Sequence, residues 1–201
     1  MRLTAVSSLS VLIALSLVAC GPAPQEPAAK SSSTEVPPEA LEKARQAADA
    51  LTGELIETLG HELGTGGPVS AVKVCAEMAP QIAASHSVDG VTVRRVTLKV
   101  RNPQDTPDDY ERGMLLDLEA KLADGALPKE VAEVVSDDTG SRLRYMRPLV
   151  IKGTCLNCHG DVESMDPELR TVLEERYPDD QAVGYQEGDL RGAVSVTVDL
   201  S

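Results

Sequence analysis

Cys155-Leu156-Asn157-Cys158-His159 is the stretch of sequence from which the rest of the chain is best interpreted. It has the C-x-x-C-H pattern by which a polypeptide holds haem covalently. Each thiol adds to one vinyl group of the porphyrin, and the two-residue spacer sets the distance between the sulfurs. The adjacent imidazole then reaches the iron from one face. The pattern predicts one covalent haem c, attached through Cys155 and Cys158, with His159 as an axial iron ligand.

Covalent haem attachment takes place outside the cytoplasm, so the motif requires an exported chain. Residues 1–19 carry Arg2 and a short apolar run, which cannot span a bilayer as a helix and is typical of a signal peptide. The run ends in Leu17-Val18-Ala19-Cys20, a lipobox whose cysteine becomes the acylated first residue of a bacterial lipoprotein. The alternative is a signal peptide that ends in cysteine by chance. We expect acyl chains on Cys20 to anchor the protein on the periplasmic side of a membrane, and Gly21 favours the outer membrane.

The composition limits the partners of the chain. Its net charge is −13, from 19 Lys and Arg against 32 Asp and Glu, which is the reverse of what nucleic-acid binding needs. The acidity also opposes adhesion to anionic lipid and leaves the acyl anchor as the membrane contact. There is no Phe or Trp and there are only four Tyr. The core must therefore come from aliphatic side chains and, if haem binds, from the porphyrin.

The chain is predicted to have three parts. Residues 1–19 are the lipoprotein signal peptide. Residues 20–37 are the lipidated N-terminus and a tether rich in Pro, Ala and Ser, which cannot bury enough surface to fold. Residues 38–201 are long enough for one domain with its own core, and we expect a single c-type haem domain there.

Periodicity predicts both helices and strands in this domain. Apolar residues every three or four positions predict helices over residues 38–63, 70–79, 106–124, 127–135 and 166–176. Alternating apolar and polar residues predict strands over residues 91–100, 143–151 and 194–200, the first with a bulge at Arg94-Arg95. Thr106 is expected to cap the helix over residues 106–124, with Pro107 in its first position. Helices and strands do not alternate strictly, which favours an α+β fold with an antiparallel sheet.

The cysteines of the motif have two alternative interpretations, a zinc site and a redox disulfide. Cys75, Cys155, Cys158 and His159 have the ligand chemistry of a structural zinc site. A redox disulfide between Cys155 and Cys158 is the second alternative. Both make the position of the histidine directly after the second cysteine a coincidence, and both ignore the export signal, so we favour haem.

The residues alone leave the second axial ligand of the iron open. The candidates are Cys75, His61, His86, Met78, Met114, Met146 and Met165, or no side chain at all. Cys75 is the one cysteine without an assigned role, and a free cysteine in an oxidising compartment is a liability unless it is buried or bound. The alternative is that Cys75 is an inert buried side chain.

Several segments resemble a family of single-haem c-type domains with a PAS-like sensor fold. They are AVKVCAEMAP (71–80), TLKVRNP (97–103), PDDYE (107–111), CLNCHG (155–160), YPDD (177–180) and GDLRGA (188–193). The resemblance covers nearly all of residues 40–200 and implies a PAS-like antiparallel sheet with flanking helices. It also implies iron bound by a histidine and a cysteine, here His159 and Cys75. Tyr110 departs from the pattern, because the family tends to have tryptophan there.

This ligand set leads to a functional expectation. A thiolate from Cys75 would stabilise ferric iron and lower its reduction potential. Six-coordinate iron leaves no position for peroxide or oxygen, so an enzyme is disfavoured. We expect a lipid-anchored single-haem protein in electron transfer or in redox or ligand sensing, acting with an unidentified redox or signalling protein. The alternatives are a small haem peroxidase or nitric-oxide-handling enzyme, and a structural zinc-binding lipoprotein.

Two further sets of residues have expected roles toward the haem. Met78 is a candidate reserve ligand for ferrous iron, since it lies three residues after Cys75 and the two side chains would share a helix face. The alternative is that Met78 fills the core. Cationic side chains suited to the haem propionates, or else to a solvated strand face, are Arg94, Arg95, Lys99, Arg101, Arg144 and Arg147.

Overall fold

The computed structural model describes residues 35–200, and the predicted signal peptide, Cys20 and most of the predicted tether lie outside them. Four antiparallel strands form one sheet in the order β1-β4-β3-β2. The strands are Val91–Val96 (β1), Val131–Asp137 (β2), Gly140–Val150 (β3) and Leu190–Leu200 (β4). The helices are Pro38–Lys73 (α1), Ala79–Ser85 (α2), Asp109–Ala123 (α3), Leu156–His159 (α4) and Pro167–Arg176 (α5). The predicted α+β class with an antiparallel sheet is confirmed.

Each face of the sheet carries its own hydrophobic cluster. On one face, α1 packs through Ala44, Ala48 and Leu51, and the small alanines allow its backbone to lie close to the strands. On the other face, α3 packs through Leu115 and Leu118. Burying a leucine contributes about 2 kcal/mol relative to exposing it, so both helices are held firmly on the sheet.

The first strand has no bulge at Arg94-Arg95, which corrects the prediction. Arg94 pairs with Ser195 and Arg95 with Val194 in regular register. The apolar alternation slips because both faces of the sheet are covered. Val93 packs in the cluster under α1 and Val96 in the cluster under α3, so apolar residues are needed on both sides of one strand.

Further element boundaries differ from the prediction. The predicted break between the helices over residues 38–63 and 70–79 is confirmed, because the helical run Pro38–Lys73 is interrupted at Gly67, whose φ of 70° and ψ of −171° are not helical, with Pro68 directly after it. The first helical segment only ends a few residues later than predicted, past Gly64. Residues 131–137 form β2 instead of part of a short helix, because they pair along β3.

None of the helices within residues 35–200 is long and apolar enough to cross a membrane.

The N-terminal cap of α3 is Asp108, and not Thr106. The Asp108 carboxylate accepts from the Glu111 backbone N–H at 2.7 Å, and the Glu111 carboxylate accepts from the Asp108 N–H at 2.8 Å. This reciprocal capping box satisfies two backbone donors at once, so Pro107 precedes the helix.

Candidate haem site

His159 is held in an orientation suited to binding iron. Its Nδ1 lies 2.7 Å from the carbonyl oxygen of Ala182, which can only accept, so Nδ1 carries the proton and Nε2 is the free ligand atom. Burial lowers the pKa of His159 to about 3. The ring is therefore neutral, which is the form that binds a metal.

Gly160 allows the chain to turn away directly after His159. Helix α4 is a single turn that ends at His159. A Cβ atom at residue 160 would lie 2.6 Å from the Leu156 carbonyl oxygen, so no larger residue fits without a shift. The Gly160 carbonyl then accepts from the Gly184 N–H at 2.8 Å, which brings the loop containing Ala182 back onto the motif.

Arg101 is a buried cation that ties the motif to this loop. Its Nε donates to the Asp180 carboxylate at 2.8 Å, and its Nη2 donates to the Cys158 carbonyl at 2.6 Å and to the Ala182 carbonyl at 3.3 Å. Asp180 also accepts from the Ala182 N–H at 2.8 Å. A buried ion pair whose remaining polar atoms are also bonded holds a defined geometry. Arg101 therefore positions the carbonyl that orients His159.

Cys75 lies in a π-helical turn, Val74–Met78, between α1 and α2. Single π turns are rare in proteins, but those that occur are often found at functional sites. The Cys75 carbonyl accepts from the side-chain amide of Asn102 at 3.2 Å. Because Asn102 directly follows Arg101, one short segment after β1 contacts both the haem motif and the Cys75 turn.

The Cys75 side chain lies near the motif. Burial is the largest cause of the raised pKa of Cys158, and the Cys75 thiol adds to it. Burial followed by Cys75 likewise raises the pKa of Tyr177 to about 12. Ala76, Cys158 and Tyr177 belong to one hydrophobic cluster. The fold thus brings together Cys75 and the motif, although 80 positions separate Cys75 from Cys155 in the sequence.

Tyr177 has a buried hydroxyl without a partner. Its side chain is 7% exposed, and its oxygen makes no hydrogen bond within residues 35–200. An unsatisfied buried hydroxyl costs about 1–3 kcal/mol. If haem were bound between Cys75 and the motif, a Cys75 thiolate on the iron could accept a hydrogen bond from this hydroxyl. The hydroxyl without a partner therefore fits the predicted haem.

Besides Cys75, one other ligand candidate with a sulfur atom lies close to the motif, and it is Met165. It packs in the cluster that includes Cys158 and Tyr177. Met114 and Met146 instead belong to the cluster under α3. Among the cysteine and methionine candidates, Cys75 and Met165 are therefore the two that the fold brings near the motif.

Met78, the predicted reserve ligand, lies partly exposed beside α1. It is 38% exposed and lines a groove with Glu54 and His61 of α1. His86 is also engaged there, with Nε2 at 2.7 Å from the Glu54 carboxylate. Residues three apart share a face in an α-helix, but the intervening π turn changes that spacing. These contacts lie along α1, and the role of Met78 as a reserve ligand stays a prediction.

The comparisons with known proteins are consistent with this geometry. The model of a family described as Tll0287-like matches residues 30–199. The chain belongs to the Tll0287-like family. A similar solved structure is described as the crystal structure of the cyanobacterial heme-protein Tll0287, with 28% identity and a TM-score of 0.60 over 83% of this chain and 98% of that chain. No curated protein matches this chain. The relationship to a haem-protein family, which the sequence motifs predicted, is confirmed.

The zinc alternative finds no support in this member of the Tll0287-like family. Within residues 35–200, no three His, Cys, Asp or Glu side chains are arranged to hold a metal ion. Cys75, Cys155, Cys158 and His159 are neighbours, but they do not form the closed tetrahedral set of a structural zinc site. The three cysteines are free thiols, and no disulfide links Cys155 to Cys158.

Most of the cations proposed for the haem propionates have acidic partners in the fold. The pairs are Arg94–Glu111, Arg144–Asp108, Arg95–Asp105, Arg101–Asp180 and Arg147–Asp49. Lys99 has no such partner within residues 35–200.

Several residues near the site had no role in the sequence analysis, among them Asn102, Tyr177 and Arg191. All three lie in segments that carry the family resemblance, which was the only signal in the sequence that pointed to them.

Proposed function

We propose that this protein is a lipid-anchored, single-haem c-type protein with a PAS-like domain that works in electron transfer or in redox or ligand sensing. The observation that carries the proposal is the half-buried neutral imidazole of His159, held through Nδ1 directly after the Cys155–Cys158 pair. The description of the similar structure as a heme-protein supports the same cofactor.

The residues of the site have separate tasks in this proposal. Haem supplies reversible one-electron chemistry when it is bound. Cys155 and Cys158 hold it through thioether bonds, and His159 binds the iron through Nε2. Arg101 keeps the Ala182 carbonyl in place, so that the imidazole is oriented before the cofactor arrives.

Cys75 is the proposed second axial ligand. Its π turn places it near Cys158, and the amide of Asn102 holds its backbone. The partnerless hydroxyl of Tyr177, which lies close to Cys75, is a suitable hydrogen-bond donor for a thiolate. A thiolate from Cys75, together with His159, would favour ferric iron and would leave peroxide or nitric oxide without a place to bind. This ligand set suits a carrier or sensor that works with a redox or signalling protein.

The cofactor assignment is tested on purified protein made in a host that attaches haem c. We expect the colour to remain with the polypeptide after extraction with acidified organic solvent, and the unfolded protein to give the pyridine haemochrome spectrum of haem c. Alanine at both Cys155 and Cys158 should abolish that covalent attachment. Zinc in place of iron, or haem that extracts fully from the wild type, would contradict the assignment.

We also propose export and acylation at Cys20. When the full chain is made in a bacterium fed labelled fatty acid, the wild type should carry the label and Cys20→Ala should not. Cys75→Ala is the matched control, because it removes another cysteine and should keep the label. Equal labelling of wild type and Cys20→Ala would show that the anchor is elsewhere.

A further inference from the structure

Arg191 is a half-buried cation next to the haem motif without an acidic partner. It is the second residue of β4. Its Nη1 donates to the Thr97 hydroxyl at 2.7 Å and to the Lys99 carbonyl at 3.3 Å. Its Nε and Nη2 donate to no carbonyl or carboxylate within residues 35–200, where no acidic side chain forms an ion pair with it, and the Tyr185 hydroxyl lies beside the guanidinium. Three of the five guanidinium N–H donors are thus available.

Burial makes this arrangement costly for Arg191 as it stands. Removal from water is the largest cause of the lowered pKa of the Arg191 guanidinium; Tyr185 and Asp105 oppose it, and the nearby Arg95 and Arg101 lower the pKa further. A charge that is taken out of water is tolerated when an opposite charge and hydrogen bonds compensate it. Arg95 and Arg101 have such partners in Asp105 and Asp180, whereas Arg191 has none among the described residues. The surroundings of Arg191 therefore favour the binding of an anion.

Lys99 lies on the same aromatic ring as Arg191. The Lys99 Nζ is 4.5 Å from the centre of the Tyr185 ring, and the Arg191 Cζ is 5.7 Å from it. Lys99 donates to the Val183 carbonyl at 3.2 Å but has no acidic partner within residues 35–200. Arg191 and Lys99, neither of which has an acidic partner within residues 35–200, are therefore neighbours.

The Tyr185 ring connects these cations to the iron ligand. Its centre is 6.2 Å from that of the His159 ring, at an interplanar angle of 88°. Arg191 also contributes to the low pKa of His159, after burial, which again places its charge near the imidazole. An anion bound between Arg191 and Lys99 would thus be separated from His159, the proposed iron ligand, by the Tyr185 side chain.

We propose that Arg191 and Lys99 bind the propionate carboxylates of the haem. The inference rests on the proposed function, because the CxxCH motif must first hold the haem beside Tyr185. A guanidinium with free Nε–H and Nη2–H donors matches a carboxylate in a two-point contact, and an ammonium supplies a single compact charge. Two unpaired cations also match the two propionates of one haem.

Redox titration of matched variants of the holoprotein tests the inference. Loss of a positive charge beside the propionates destabilises the ferrous state, which carries one more electron, so the midpoint potential should fall in both Arg191→Gln and Lys99→Gln. Arg191→Lys should recover most of the Arg191→Gln shift. The control is Arg94→Gln, which makes the same charge change on β1 but removes an arginine paired with Glu111. The control should keep the wild-type potential within error. The propionate bands in resonance Raman spectra should also shift in Arg191→Gln and not in the control.

Lys99→Gln keeps the test informative if Arg191→Gln does not fold, because Lys99 is exposed. Equal shifts in Lys99→Gln and Arg94→Gln would show a general charge effect and overturn the inference. Unchanged potentials in Arg191→Gln and Lys99→Gln would also overturn it. A wild-type protein without covalent haem would instead refute the proposed function, so the two failures are distinguishable.

Discussion

Replacing Arg101 with methionine should lower the free energy of unfolding by about 3 kcal/mol, the range found when one partner of a buried ion pair is removed. The Arg101 and Asp180 side chains are only 5% and 12% exposed. The methionine variant leaves the Asp180 carboxylate without its counter-charge. It also removes the donor to the carbonyls of Cys158 and Ala182.

Urea unfolding of the purified protein measures this effect. Arg95→Met is the matched control, since its Asp105 pair is at 3.2 Å with the arginine 28% exposed, and more exposed pairs contribute about 1 kcal/mol or less. Adding Asp180→Leu to Arg101→Met should recover part of the loss, because the uncompensated charge is then gone. A loss in Arg101→Met no larger than in Arg95→Met would contradict the assigned role of Arg101.

The sequence correctly predicted the parts of the fold that depend on the pattern of residues close together in the chain. Val194, Val196 and Val198 alternate with polar residues, and all three are buried in β4 as expected. Asp166 caps α5 by accepting from the Glu168 and Leu169 N–H groups at 2.9 and 3.1 Å. The C-x-x-C-H motif was informative for the same reason, because all of its chemistry lies within five residues.

The parts that the sequence did not predict depend on contacts between distant segments. Strand β1 was given a bulge because its apolar pattern was interpreted for a sheet buried on one face, whereas α1 and α3 cover both faces. Residues 131–137 form a strand because β3 offers them a partner, and that pairing overrides the weak local signal. Helix and strand boundaries of this kind follow from packing rather than from periodicity.

The same limit applies to the site. Nothing in the local pattern shows that Arg101 reaches Asp180, which lies 79 positions away. Arg191 stands out because the fold pairs the nearby Arg95 and Arg101 with Asp105 and Asp180, contacts that the local sequence pattern does not show. The sequence likewise does not show that residues 74–78 form a π turn, which changes the α-helical spacing between Cys75 and Met78.

Replacing Cys75 with serine should change the iron coordination more than any other single substitution outside the C-x-x-C-H motif. Loss of a thiolate removes the negative ligand that stabilises ferric iron. We expect the midpoint potential to rise by on the order of 0.2 V, within the ~0.8 V that axial ligands span. The absorption bands that arise from thiolate ligation should disappear from the ferric spectrum.

Met165→Leu is the matched control for this substitution. Met165 is the other candidate sulfur in the cluster beside Cys158, and leucine keeps its volume and apolar character. The control should therefore keep the wild-type ferric spectrum and potential. If Met165→Leu changes them while Cys75→Ser does not, the second ligand is Met165.

Electron paramagnetic resonance of the ferric protein tests the His159 and Cys75 ligation most directly. The wild type should give one low-spin signal with the g-values of histidine–thiolate coordination, and Cys75→Ser should lose that signal. A spectrum that is unchanged in Cys75→Ser, or a wild type that is high-spin, would contradict the account.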